Sequence, residues 1–289
     1  MNLDKFGEEA QKLGVLGIKA TQGGVLKAER LWDEECRRNV YSASKSFTSC
    51  AVGLAVKEGL ISLEEPLTEA FSEDLPENVS DNLTKARVRD LLTMCLGQEE
   101  ANLMGAQRPL YKEEDWVKMS LAIPFVYEPG THFVYNSGGT YMLSELIGRV
   151  SGMCMMDWLQ KHVFDPLGIT DVSWDKHGEN NTGGWGLLIA PRDLTRLGLL
   201  YLHKGVYNGK RILAQEWVEE ATYPHISTNG QGGAGWGRHY GYQIWENSPG
   251  SYRADGAFGQ YCMVFPEKDM VITTTAEEAD ASRIFPLIE

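Results

Sequence analysis

Apolar positions along the chain change their period several times, and the changes divide it into distinct stretches. In MNLDKFGEEAQKLG, Leu3, Phe6, Ala10 and Leu13 recur at helical spacing among charges, which predicts an amphipathic first helix. The β-prone runs VLGIKAT and VLKAERLW follow, split by Gln22-Gly23-Gly24, so an antiparallel hairpin is expected. From about Ser42 to Lys57 the helical period returns through Phe47, Cys50, Ala51, Leu54 and Ala55, and Gly59 supplies a stop. Residues 60–170 read as helical patches joined by Pro and Gly, among them Val88 to Met94, Glu113 to Ala122 and Thr140 to Val150, without strand alternation. Pro191 in a first turn, Leu194, Leu197 and Leu200 on one face, and Gly205 just past the end bound a further helix. After the loop STNGQGGAGWG, read as flexible and as a candidate gate, come the strand-like runs HYGYQIWE, SYRAD with AFGQYCMVF, and DMVITTTA, separated by NSPG and PEKD.

Strands at both ends with helices between them predict an α+β fold. An antiparallel sheet flanked by helices is assigned to residues 1–59 and 171–289, and a mostly helical inserted region to 60–170. A content of 43% apolar residues in 289 is enough for a sizeable core. The formal net charge of −13, with no cluster of Lys and Arg, argues against nucleic acid and anionic membrane surfaces as partners. The first residues lack the apolar stretch of a signal peptide and no run approaches a membrane span, so a cytoplasmic protein is expected. Cys36, Cys50, Cys95, Cys154 and Cys262 are scattered without CxxC pairs, which fits reduced thiols. The six histidines show no ligand spacing, and neither a metal nor a cofactor is expected.

Candidate chemistry starts at Tyr41-Ser42-Ala43-Ser44-Lys45, where S-x-x-K opens a helix and brings an amine beside a hydroxyl. A serine becomes a nucleophile when a neighbouring base takes its proton, and burial under AVGLAV would lower the lysine pKa enough for that work. Alone, the pattern is equally satisfied by a helix cap and a solvated lysine. A second element, PGTHFVYNSGG, places Tyr135 in a polar turn before a helix, where a phenol can relay a proton. His132, three residues earlier, reads as a loop residue. The third element, Ala254-Asp255-Gly256-Ala257-Phe258-Gly259-Gln260-Tyr261, interrupts a strand with glycines, as where another backbone or a substrate approaches closely. Trp185, Trp236 and Tyr240, in Gly-rich loops, are candidates for lining an apolar pocket.

Taken in order, S-A-S-K, Y-N-S-G behind PGTHF, and DGAFGQY before VFPEKDMVITTT resemble the serine β-lactamase-like family, which includes class C β-lactamases, DD-peptidases and family VIII carboxylesterases. The similarity runs from about residue 40 to the final meander, through KEGLISLEEPLTE, RVRDLLTM and GWGLLIAPRDLTRLGLLYLHKGVYNGKRIL. The resemblance implies an acyl-enzyme mechanism with Ser42 as nucleophile, Lys45 and Tyr135 as coupled bases, and an oxyanion hole from the amides of Ser42 and Ala257. Which of the two bases acts first stays open, because a close Lys and Tyr titrate as a pair. Ser137, Asn136, Gly256, Asp255 and Trp236 are the implied substrate contacts.

Two departures bear on substrate. Ser137 stands where the family often has an asparagine amide, and Ala254-Asp255-Gly256 stands where β-lactamases and peptidases usually have Lys-Thr-Gly. Arg253 is adjacent, but strand alternation turns it to the opposite face from Ala254. With an acidic Asp255 and no cation for a carboxylate, esterase or amidase action on a neutral acyl compound is favoured over lactam hydrolysis or peptidase action. The alternatives are a β-lactamase or DD-peptidase activity and, from another class, a non-catalytic ligand-binding or sensor module. The expected partner is a small ester, amide or lactam, and the oligomeric state is open. After the last strand only EEADASRIFPLIE remains, shorter than the closing helix the family usually has.

Overall fold

The computed structural model describes residues 3–231, 237–247 and 250–288. Helix α1 (Leu3–Lys12) leads into the hairpin of β1 (Val15–Gln22) and β2 (Val25–Leu31). Gly23 and Gly24 form its turn, both with positive φ, as a two-residue turn matching the twist of the strands requires. β1 is buried along most of its length, whereas β2 is an exposed edge.

A single 3-10 turn, Tyr41–Ala43, runs into α2 (Ser44–Lys57), which is buried from Ser44 to Ala55. The helical stretch that follows contains α3 (Val88–Leu92), α4 (Trp116–Ala122) and α5 (Ser137–Ser151). Their starts are set by local caps. Asp115 accepts from the Val117 and Lys118 amides at the head of α4, and Asn136 accepts from Gly138 at the head of α5. The spacing therefore places these helices correctly and misjudges their ends by a few residues. α3 stops before Met94 because Met94 adopts φ +61. α6 (Pro191–Leu202) has the proline start expected for it.

The remaining strands are β3 (Ile226–Ser227), β4 (His239–Tyr240), β5 (Trp245–Glu246), β6 (Tyr252–Gly256), β7 (Gln260–Phe265) and β8 (Met270–Ala276). They join β1 and β2 in an eight-stranded antiparallel sheet of order β3-β4-β5-β6-β7-β8-β1-β2, so the first hairpin docks on the last strand, with Ile18 opposite Thr274. The run HYGYQIWE, read as one strand, is a tight hairpin instead. Gln243 takes φ +61 there, and its side chain amide donates to the carbonyls of Leu91 and Leu92, both at 3.0 Å.

Strand alternation sorts the sheet's two faces. Ala254, Cys262, Val264 and Val271 belong to the large core shared with α2, α5 and α6. Tyr261, Met263, Ile272 and Ile18 face the other way and are covered by Ala10 and Leu13 of α1 and by Ile284, Phe285 and Ile288. The last two of these residues lie on α7 (Phe285–Ile288), a single turn. No helix among the described residues is long and apolar enough to cross a membrane.

Candidate active site

Ser42 sits on the 3-10 turn that feeds α2, half-buried, immediately after Tyr41, whose φ of +46 is strained for a side chain of its size. The turn is held from both ends: Asn39 Oδ1 accepts from the Tyr41 amide at 2.8 Å, and Ser44 Oγ donates to the Tyr41 carbonyl. One turn on, the Lys45 side chain runs inward and is 1% exposed. Its Nζ lies 3.2 Å from Ser42 Oγ and 3.2 Å from Ser137 Oγ, and donates to the Gly184 carbonyl at 2.8 Å. Burial, with a smaller contribution from the Arg108 charge and against the opposing charge of Asp255, lowers its pKa to about 7. A lysine in this state is half neutral near neutral pH and can accept a proton.

Tyr135 enters from the turn before α5. Lys45 Nζ lies 4.9 Å from its ring centroid, and its hydroxyl faces Ser42. Burial pushes the phenol above its ordinary range, while the contact with Ser42 pulls it partly back. Its ring is clamped by Trp245, stacked at 5.4 Å, and by Tyr240, perpendicular at 6.2 Å, with Phe133 and Met94 completing the apolar cluster. The phenol is thus positioned by packing on its faces, which leaves the hydroxyl end for the site.

The third element is brought in by backbone. A Cβ on Gly256 would collide with the Val40 carbonyl, so glycine lets β6 pass directly against the chain entering Ser42. The approach of Gly256 to Val40 is continued by the pair Tyr41 and Phe258, edge to face at 5.1 Å between centroids, and Ala257 and Ser42 belong to the two stretches these contacts hold together. Phe258 also has positive φ, +65, so each candidate oxyanion amide adjoins a strained aromatic residue. The close approach inferred for this segment is by another backbone.

Several expectations change. Arg253 shares a face with Asp255, its Nε 2.7 Å from Asp255 Oδ2, and both charges act on Tyr135; it is Ala254 that turns away, into the core with α2 and α6. The Asp255 charge is therefore compensated. Asn136, expected as a substrate contact, is 3% exposed and holds the turn: its Oδ1 accepts from the amides of Gly138 and Asn102, and its Nδ2 donates to Gln98. Tyr240 packs on Tyr135, and Trp185 is 7% exposed under the Arg108 guanidinium. Trp236, Gly232 and Gly233 lie outside the described residues. His132 is exposed and stacked on Tyr127 at 4.0 Å. Gly184, Gln243 and Arg108 join the site through a backbone carbonyl, a turn inside a strand-like run and a motif-free loop, none of which marks the single residue in the sequence. Among the described residues no group of three or more His, Cys, Asp or Glu is arranged to hold a metal.

The fold is of the serine β-lactamase-like class: the octameric penicillin-binding protein homologue from Pyrococcus abyssi superposes with TM-score 0.79 at 20% identity, over 98% of this chain and 76% of that one. The chain belongs to the beta-lactamase family, whose sequence profile matches residues 7–283. The 6-aminohexanoate-dimer hydrolase of Paenarthrobacter ureafaciens is 25% identical over 264 residues, 84% of this chain and 67% of that protein. The lovastatin esterase of Penicillium rubens is 30% identical over 150 residues, 45% of this chain and 37% of its own length. The chain thus spans only part of the length of these relatives.

Proposed function

We propose that the protein is a serine hydrolase that cleaves an ester or amide bond of a small molecule through an acyl-enzyme. The observation that carries this reading is the buried Lys45 amine, with its pKa near 7, 3.2 Å from the Ser42 hydroxyl. Neutral Lys45 takes the Oγ proton as Ser42 attacks the carbonyl carbon; the new C–O bond forms and the carbonyl electron pair becomes an oxyanion facing the Ser42 and Ala257 amides. The tetrahedral species collapses, the bond to the leaving group breaks, and that group takes a proton by way of Tyr135 and Lys45. Water then attacks the acyl carbon and gives a proton to the same pair; the bond to Ser42 Oγ breaks, Oγ takes that proton back, and the acid leaves. With its phenol held above the ordinary range, Tyr135 is the relay and Lys45 the first acceptor. Relatives named as a 6-aminohexanoate-dimer hydrolase and as a lovastatin esterase support this reaction class.

Intact-mass analysis with a fluorophosphonate, p-nitrophenyl esters and β-lactams tests the reading. Wild type gains one phosphonyl adduct and turns over esters, and Ser42→Ala does neither. A mutant that keeps ester turnover overturns it. Absence of labelling and turnover in wild type favours a binding module, and β-lactam turnover ranks the lactamase alternative against the esterase.

A further inference from the structure

The loop between α3 and α4 carries a cation into the site that neither the motifs nor the strand supply. Arg108 lies with its guanidinium carbon 3.8 Å from the centre of the Trp185 ring. Trp185 follows Gly184, the residue whose carbonyl holds Lys45 Nζ at 2.8 Å, so the guanidinium sits one residue from the lysine's anchor. Arg108 Nε donates to the Leu103 carbonyl at 2.9 Å, which orients the planar head and leaves its two terminal nitrogens directed elsewhere. Among the described residues no carboxylate forms an ion pair with Arg108 and no acceptor takes those nitrogens; Tyr135, Asp175 and Lys45 are the titratable groups whose charges interact with it. The other arginine of the site is already engaged, since Arg253 is bound to Asp255 and, at 2.8 Å, to Asn247.

A half-buried guanidinium, oriented by one carbonyl and one aromatic face, with two free parallel donors, is arranged to receive a planar anion. We propose that Arg108 binds a carboxylate on the substrate, so that the preferred substrates are esters or amides bearing a second, anionic group. This rests on the hydrolase reading above and reverses the preference for neutral acyl compounds drawn from the third motif alone. The cation that the third motif lacks is supplied from the helical stretch instead, and the pairing of Asp255 with Arg253 weakens the repulsion.

The test compares two p-nitrophenyl esters of similar length, the butyrate and the monoester of glutaric acid. In wild type kcat/KM favours the carboxylated ester by about tenfold or more, and in Arg108→Gln the ratio falls by about 10- to 100-fold, as the loss of a charged hydrogen-bonded pair implies. Arg108→Lys keeps the charge without the fork and lies between them. Arg108→Glu turns the preference toward a p-nitrophenyl ester bearing an ω-amino group. A wild-type ratio near one, which needs no variant, or a ratio unmoved in all three variants, overturns the proposal while leaving the hydrolase standing. Failure of wild type to cleave any ester or to be labelled at Ser42 overturns the hydrolase reading, and this one with it.

Discussion

Helix α2 and strand β6 both border Ser42, and they contribute by different physics. α2 acts through a side chain: it is sunk in the core from Ser44 to Ala55, and its Lys45 is desolvated until the neutral amine competes with the ammonium. β6 acts through backbone: Gly256 is bare so that the strand can touch the Val40 carbonyl, and Ala257 arrives at the site by that approach. Desolvation is graded and tunable by neighbouring charge, whereas steric approach is close to all or none.

The largest effect breaks the α2 side. Lys45→Met removes the proton acceptor and lowers kcat/KM by about 10²- to 10⁴-fold in ester assays. The same variant reports on desolvation through stability. In the folded wild type Lys45 titrates at about 7, against the ordinary lysine value of 10.5 that the unfolded chain takes. The unfolded state therefore binds an extra proton between those values, and the penalty is complete below pH 7 and relieved as pH rises. Wild-type melting temperature gains on Lys45→Met from pH 7 to 8.5; a constant difference between the two over that range contradicts the buried-amine account.

Gly256→Ala attacks the β6 side. The added methyl meets the Val40 carbonyl and displaces the Ala257 amide, so kcat falls by about 10²-fold while the mutant still folds. Unchanged kcat would mean that the Ala257 amide takes no part. Below the site, Gln243 ties α2 to α3 and α5: it accepts from Thr140 Oγ1 at 2.7 Å, binds the Leu91 and Leu92 carbonyls, and its own carbonyl accepts from Ser46. Gln243→Leu strands those buried groups and destabilises the fold by about 2–4 kcal/mol in denaturant titrations.

The smallest effects sharpen the comparison, because they tune α2 without moving it. The limb of kcat/KM for a neutral ester rises with pH through about 7 as Lys45 loses its proton. Arg108 lowers that pKa, so Arg108→Gln shifts the limb to higher pH; Asp255 raises it, so Asp255→Asn shifts the limb to lower pH. Shifts of the same sign in both variants contradict the electrostatic assignment.

The sequence by itself determined what depends on neighbours a few residues apart. Ser42 and Lys45 share a turn because their spacing is helical, Pro191 and the leucines after it make α6, and period-two alternation gives each strand its buried face. It also carried the ordered motifs that bring Tyr135 and Gly256 into the argument. Only the tertiary structure decided which groups meet across long separations. Gly184 receives Lys45 from 139 positions away, Gln243 reaches back to the helix ending at Leu92, and Arg108 settles on Trp185. It also withdrew Asn136 into a cap and turned Arg253 toward Asp255. The physical reason is that periodicity reports the burial of a face, whereas the partner of a buried polar group is chosen by the packing of elements distant in the chain, which leaves no local period to read.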